Sequence, residues 1–259
     1  MTLRGRAFAG ALVWVTLASA GCADEGEGDP SSSVGTSATE QGAGDEQSDA
    51  ERREDEEAAE AALLVLDDFP AGWEAEPAEE DDDAEDADIR AALDDCLGVD
   101  ESEPDTDNPS ASSPTFTSPD DEEVTAEVTL TPSAGDARRT IERLESDAAP
   151  GCYADAIGAV IERNLQDSGG MQDDVELGEP TVERIPFERL GDGTVAFRST
   201  LPVSVQGTDL ELFFDTVFVR VGSVGIETSF SSEITPFDSG ESERLTRIVV
   251  DRVAEADLG

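Results

Sequence analysis

Between Leu210 and Val221 the chain reads LELFFDTVFVRV, with Phe213-Phe214 and Val217-Phe218-Val219 placing apolar side chains on both faces of an extended segment. Side chains alternate across a strand, so such a segment has no face to offer water. It belongs in the middle of a sheet covered on both sides. Its neighbours continue the pattern. TVAFRSTLPVSV points Val195, Phe197, Leu201, Val203 and Val205 inward, with Ser199 as the polar exception. Gln206-Gly207-Thr208-Asp209 reads as the hairpin loop, and Gly222 turns the chain into VGIETSF. VGSVG, around Ser223, resembles a Gly-rich phosphate loop, but it lies between two strands and reads as a tight turn.

Earlier, EVTAEVTLT puts Val124, Ala126, Val128 and Leu130 on one strand face, after extended chain that begins at Phe116. Helical spacing marks Glu54–Leu66, Asp88–Leu97, Ser133–Ser146 and the segment carrying Cys152, Ile157, Val160, Ile161 and Leu165. It places Cys96 inward with Ile89 and Leu93. VELGEPTVERIPF is extended, and Glu241–Ala256 closes the chain with Leu245, Ile248, Val249, Arg252 and Val253 along one stripe. Glu79–Asp83 and Glu101–Ser113 read as acidic surface loops. The order α-α-β-β-α-α-β-β-β-β-α predicts an α+β fold: a mostly antiparallel sheet of about five to six strands covered by helices.

The N-terminus gives an address. Arg4 and Arg6 precede an apolar run, Ala7–Ala20, which is short of the ~20 residues of a membrane span and fits a secretory leader. Ser19-Ala20-Gly21-Cys22 resembles a lipobox, with Ser19 where bacterial lipoproteins usually carry Leu or Val. Ala18-Ser19-Ala20 offers an ordinary cut as the alternative. The cysteines are Cys22, Cys96 and Cys152. An odd count in a secreted chain leaves one thiol over unless Cys22 carries lipid, which frees Cys96 and Cys152 to pair across 56 residues. The expected organisation is a leader over 1–21, a lipidated Cys22 opening a disordered acidic tether over 22–60, and an extracytoplasmic domain over 61–259. The lipid would hold the protein on the outer face of the cell membrane, and simple secretion is the alternative.

Charge supports the tether and removes several functions. The formal net charge is −47, with 63 acids against 16 bases, all of them Arg. From Ala23 to Glu60 there are 14 acids and 2 Arg among Gly, Ser and Ala, too little apolar surface to offset chain ordering. The rest is acidic too, which excludes nucleic acid as a partner. With no His and no Lys, neither a Ser-His-Asp or Cys-His nucleophile nor a Schiff base is available. No zinc cluster is present.

We therefore expect no catalytic residue, no metal and no cofactor. The expected partners are the membrane, through the lipid, and an unknown extracellular ligand or envelope protein. Trp73, beside Pro70 and Gly72, either lines a pocket or caps the core. Arg198 and Arg220 interrupt apolar strands; each either pairs with an acid such as Asp215 or Glu227 or anchors an anionic ligand. Two alternatives stand. Acidity itself could bind calcium, through EPDTDN and EEDDDAEDAD, although neither matches an EF-hand loop. A carboxylate-only secreted hydrolase would need paired acids in a cleft, one of raised pKa.

Several phrases together resemble a known group. LLVLDDFPAGW ahead of the core, Cys96 on an early helix, SPTFTS entering the first strand, GDGTVAFRSTLPV, FVRVGSVGIETSF and a last amphipathic helix are similar to actinobacterial secreted lipoproteins. They also resemble the extracellular sensor domain of PknH-type kinases and, more distantly, PsbP-like sandwiches. The resemblance covers about Ala61 to Ala256. It implies a non-catalytic binding or sensing module with an α/β/α arrangement. The sensor domain usually has two disulfides, whereas Cys96 and Cys152 allow one.

Overall fold

A computed structural model describes residues 49–77, 93, 96–99, 108–167, 175–233, 235–256 and 258. The leader, Cys22 and the tether up to residue 48 lie outside the described residues. Among the described residues, four long helices, α1 (Asp49–Ala62), α2 (Ala134–Leu144), α3 (Ala149–Asp167) and α4 (Ser239–Glu255), pack around one sheet. Its strands are β1 (Glu74–Glu76), β2 (Ser110–Ser112), β3 (Thr115–Thr117), β4 (Glu123–Leu130), β5 (Val175–Leu177), β6 (Thr181–Arg184), β7 (Gly193–Val205), β8 (Thr208–Val221) and β9 (Val224–Glu233). The spatial order is β1-β3-β4-β9-β8-β7-β5, with β2 added to β4 and β6 to β7, and every pairing is antiparallel. The α+β expectation holds, and β8 is an interior strand between β9 and β7, buried on one face at Val217 and Val219 and half-buried on the other at Phe214 and Phe218.

Among the described residues the sheet has nine strands rather than five or six. The additional strands include β1 and β2, three residues each and too short to show a period in sequence, and the extended segment expected over VELGEPTVERIPF forms two short strands, β5 and β6. Ser110–Ser112, expected in a loop, is β2; it pairs with Thr129, Val128 and Glu127 of β4. The β7–β8 hairpin loop is also tighter than expected. Only Gln206 and Gly207 are unpaired, with φ of 53° and 78°, the two positive values that a two-residue turn of type I′ needs. At the N-terminal side, the helix expected over Glu54–Leu66 runs over Asp49–Ala62, so it starts five residues earlier, within chain expected to be tether, and ends four residues sooner. Ala59, Ala62, Leu63 and Leu64 bury fully enough to draw α1 onto the core.

Two layers of side chains result. One sheet face carries Val124, Ala126 and Val128 of β4, Val217 and Val219 of β8, and Val224, Ile226 and Phe230 of β9 against α1 and α4. Leu245, Val249 and Val253 of α4 are fully buried there. The buried hydroxyls of Thr228 and Thr246 hydrogen-bond at 2.8 Å, which satisfies both and ties β9 to α4. Arg252 donates to the Leu63 carbonyl at 2.5 Å and to both oxygens of Asp68 at 2.9 and 2.8 Å, clamping the end of α1 to α4. Asp238 caps α4 by accepting from the Glu241 N–H at 2.9 Å.

The second face is only partly apolar. Val195 and Phe197 of β7 pack with Ile141, Leu144 and Ala149 from α2 and α3. Leu97 packs against this cluster, and Cys96 is joined to Cys152 with Cα atoms 5.7 Å apart. Of the helix expected over Asp88–Leu97, Leu93, Cys96 and Leu97 are helical and the remainder lies outside the described residues. Cys96 itself is exposed rather than inward, because the bond reaches down to the buried Cys152 while Leu97 supplies the packing.

Candidate functional site

The register of β4, β9 and β8 assembles a polar floor on the second face. Glu127 of β4 stands directly opposite Glu227 of β9, which stands opposite Phe218 of β8. One step along, Thr125 faces Ser229, and Ser229 faces Thr216. A further step brings Glu123, Ser231 and Phe214 into line. Directly opposed residues on one face hold their Cβ atoms ~5 Å apart, so these side chains touch.

Burial gives the floor its shape. On the β4 side Glu127 is 4% exposed and Thr125 7%. On the β7 side Phe197 is 1% and Ser199 7% exposed. Between them Glu227, Ser229, Ser231, Thr216, Phe214 and Phe218 are only half-buried. The result is a trough with covered flanks and an accessible middle. The ring of Tyr153, on α3, stands 5.9 Å from that of Phe218 and forms part of one wall. Ile141 of α2 lies against Gly193, opposite Arg220, and closes one end.

The electrostatics are unusual for a sheet face. Burial, and then the neighbouring charge of Glu127, push the Glu227 carboxyl up from 4.5 to about 8. Burial also raises Glu123; the Ser231 hydroxyl, donating at 3.3 Å, opposes that, while Glu76, Asp121 and Glu233 add to it. Glu127 accepts from the Thr129 hydroxyl at 3.2 Å. Among the described residues, the Thr125 hydroxyl oxygen is buried with no hydrogen-bond partner, which costs about 1–3 kcal/mol. Above about 8, where Glu227 ionises, it stands as a like charge directly across the ladder from Glu127, which destabilises the pairing as well. A face that serves only packing would carry Val or Leu at these places.

The residues singled out from sequence do not converge there. Arg198, from the opposite face of β7, donates from Nε and Nη2 to Asp215 at 2.7 and 2.6 Å, a bidentate pair around a carboxylate that is 3% exposed. Arg220 does not reach Asp215 or Glu227. It bonds Asp192 at 3.3 Å and the Gly222 carbonyl at 3.1 Å. Trp73 lies 4.7 Å from Phe69, which stacks on Phe116 at 4.4 Å, so it caps the core at the β1–β3 edge. EEDDDAEDAD and nearly all of EPDTDN fall outside the described residues. Among the described residues no three acids gather as a metal site requires. A second recess of about 340 Å³ lies between α1 and β2, lined by Arg53, Glu56, Glu57, Glu60 and Ser110–Ser112. The floor itself was missed in sequence because Glu127 and Glu227 sit 100 residues apart, and each reads alone as the water side of an alternating strand.

Fold and floor define an α+β domain whose antiparallel sheet is covered by helices and bears a polar, half-open trough. No protein-family model and no curated protein matches the chain. Among solved structures, the extracellular domain of PknH from Mycobacterium tuberculosis is similar, at 12% identity and a TM-score of 0.40, covering 77% of this chain and 96% of that one. That likeness is distant, and no residue role is carried across it. Among the described residues, no helix is long and apolar enough to cross a membrane.

Proposed function

We propose that this protein is a lipid-anchored, extracytoplasmic and non-catalytic binding domain, and that the trough on the second sheet face is where its ligand or partner sits. The half-open polar floor carries this reading. It retains Glu127, Glu227 and the partnerless Thr125 hydroxyl at a cost to stability, and groups of that kind are kept where something else engages them. The leader-like N-terminus and the Cys96–Cys152 bond support an oxidising address outside the cytoplasm. Cys22, at the end of that leader, is the residue we assign to the lipid.

Glu127 and Glu227 also form the pair of acids, one of raised pKa, that a carboxylate-only hydrolase would use. They rise side by side from adjacent strands, which puts both on one wall instead of flanking a bond from two sides. Binding is therefore the better fit, and a panel of chromogenic glycosides and esters should show no turnover.

Two measurements test the proposal. Mass spectrometry of the mature protein from its host should find a diacylglycerol mass on Cys22; a chain cut after Ala20 with an unmodified thiol contradicts the anchor. A thermal-shift screen of the full mature chain against small polar compounds should find at least one that raises Tm. That shift should vanish in Ser229→Tyr, which fills the floor. A screen with no shift, or a shift indifferent to Ser229→Tyr, contradicts the trough.

A further inference from the structure

We infer that the trough receives a neutral polyhydroxylated ring, a sugar unit whose polar rim meets the floor; this rests on the trough being the binding face. The floor is a patch of uncharged hydroxyls with bonding capacity to spare. Thr125 of β4 is 7% exposed, and its hydroxyl has no partner among the described residues. Across the ladder stand Ser229 and then Thr216, whose hydroxyls, among the described residues, meet only each other, at a long 3.5 Å. Each hydroxyl can donate once and accept twice. The row spans three strands, about 10 Å, with most of its hydrogen bonds unmade.

Two residues along β9 from Ser229, the Glu227 carboxyl is pushed up to about 8 by burial and then by the Glu127 charge. Near neutral pH it keeps its proton, so it offers an O–H donor as well as acceptors. Glu127 accepts from Thr129 and is otherwise engaged, and it takes no part. The rings supply the apolar side. Phe218 and Phe214 of β8 stand on either side of Thr216, opposite Glu227 and Ser231, and both are half-buried; Tyr153 lies 5.9 Å from Phe218. A sugar ring has an apolar C–H face and a rim of hydroxyls that are donor and acceptor at once. Lying across β8 and β9, it covers the rings with the first and reaches Ser229, Thr125 and Glu227 with the second. From Glu227 to Ser231 the strand runs about 14 Å, so the patch suits a disaccharide as well as a single ring. A charged ligand fits less well, because an ionised head would lose water here without gaining an opposite charge from these groups. A simple amide brings one donor and one acceptor, too few for the row.

The test is an amide NMR titration of the full mature chain with glucose, galactose and maltose as the neutral probes, and with N-methylacetamide, putrescine and benzoate as comparators, each to about 10 mM. At least one sugar should shift Thr125, Glu227 and Ser229 saturably. Thr125→Val keeps the shape and removes the hydroxyl, and it should weaken that binding about fivefold. Glu227→Gln keeps a donor and an acceptor without a charge, and it should leave the binding within about twofold of the parent. Each variant's own spectrum reports that it is folded. If a comparator shifts the floor and no sugar does, the sugar class is wrong while the trough remains the binding face. If no probe shifts it, both readings fall. Sugar binding that leaves these three residues unmoved, ignores Thr125→Val or collapses in Glu227→Gln overturns the inference.

Discussion

Replacing Glu227 by Gln should make the protein more stable, and increasingly so as pH rises. The folded-state carboxyl is raised from 4.5 to about 8. Below the lower value the group is protonated whether the chain is folded or not, and it contributes no penalty. Between the two values the unfolded chain ionises while the folded one holds its proton, so stability falls with rising pH. Above about 8 the penalty is complete and stays constant.

At about 1.4 kcal/mol per pH unit the full span gives a ceiling of about 5 kcal/mol. Glu227 is half-buried and keeps some contact with solvent, which brings the figure to about 2–3 kcal/mol. Among the described residues the charge that acts on it is that of Glu127, directly opposite on β4, which is unchanged in the variant. Gln keeps the shape of a protonated Glu. The expected gain in Tm over the parent is therefore near zero at about pH 4.5 and about 4–12 °C at about pH 9. Self-repulsion from the net charge of −47 affects both proteins nearly alike and largely cancels in the difference. Thermal melts followed by far-UV circular dichroism at the two pH values decide it. A Tm difference that is equal at both, or negative at about pH 9, refutes the desolvated floor.

Arg198→Ala should cost about 3–5 kcal/mol, since it strands the buried Asp215 carboxylate, and Arg198→Met combined with Asp215→Leu should recover most of that in urea unfolding. Replacing Cys96 and Cys152 with Ser should lower stability by ~4 kcal/mol for a closed loop of 56 residues, read from the same urea curves against the oxidised parent. Leu245→Ala, at a fully buried position of α4, should cost about 2–5 kcal/mol, whereas Val65→Ala, at an exposed position, should move the midpoint little.

The parts of the fold that were legible are those with enough residues to show a period. β7, β8, β9 and β4 are 8 to 14 residues long, and their apolar sets fall on the expected faces. The two-sided pattern of β8 placed it in the interior of the sheet. α4 was visible as a stripe because Leu245, Val249 and Val253 recur at helical spacing. The short strands β1 and β2 were not legible. Ser110–Ser112 becomes a strand only because β4 is there to pair with it.

α1 begins at Asp49, five residues before its apolar stripe makes it visible, in chain whose composition reads as tether. The site was hidden for a different reason. Glu127 and Glu227 become a pair only through the β4–β9 register, and register between strands so far apart is a tertiary fact. Arg198 and Arg220 drew attention as charges within apolar strands, but Asp215 and Asp192 hold them.

The most direct test is a crystal structure of the full mature protein purified from its own host. Electron density from a molecule other than the protein, lying along the trough within hydrogen-bond reach of Glu227 and the Thr125 hydroxyl, is the result expected. A trough filled by the chain's own side chains, with that hydroxyl and carboxyl bonded to them, would show the polar floor to be internal architecture and would contradict the account.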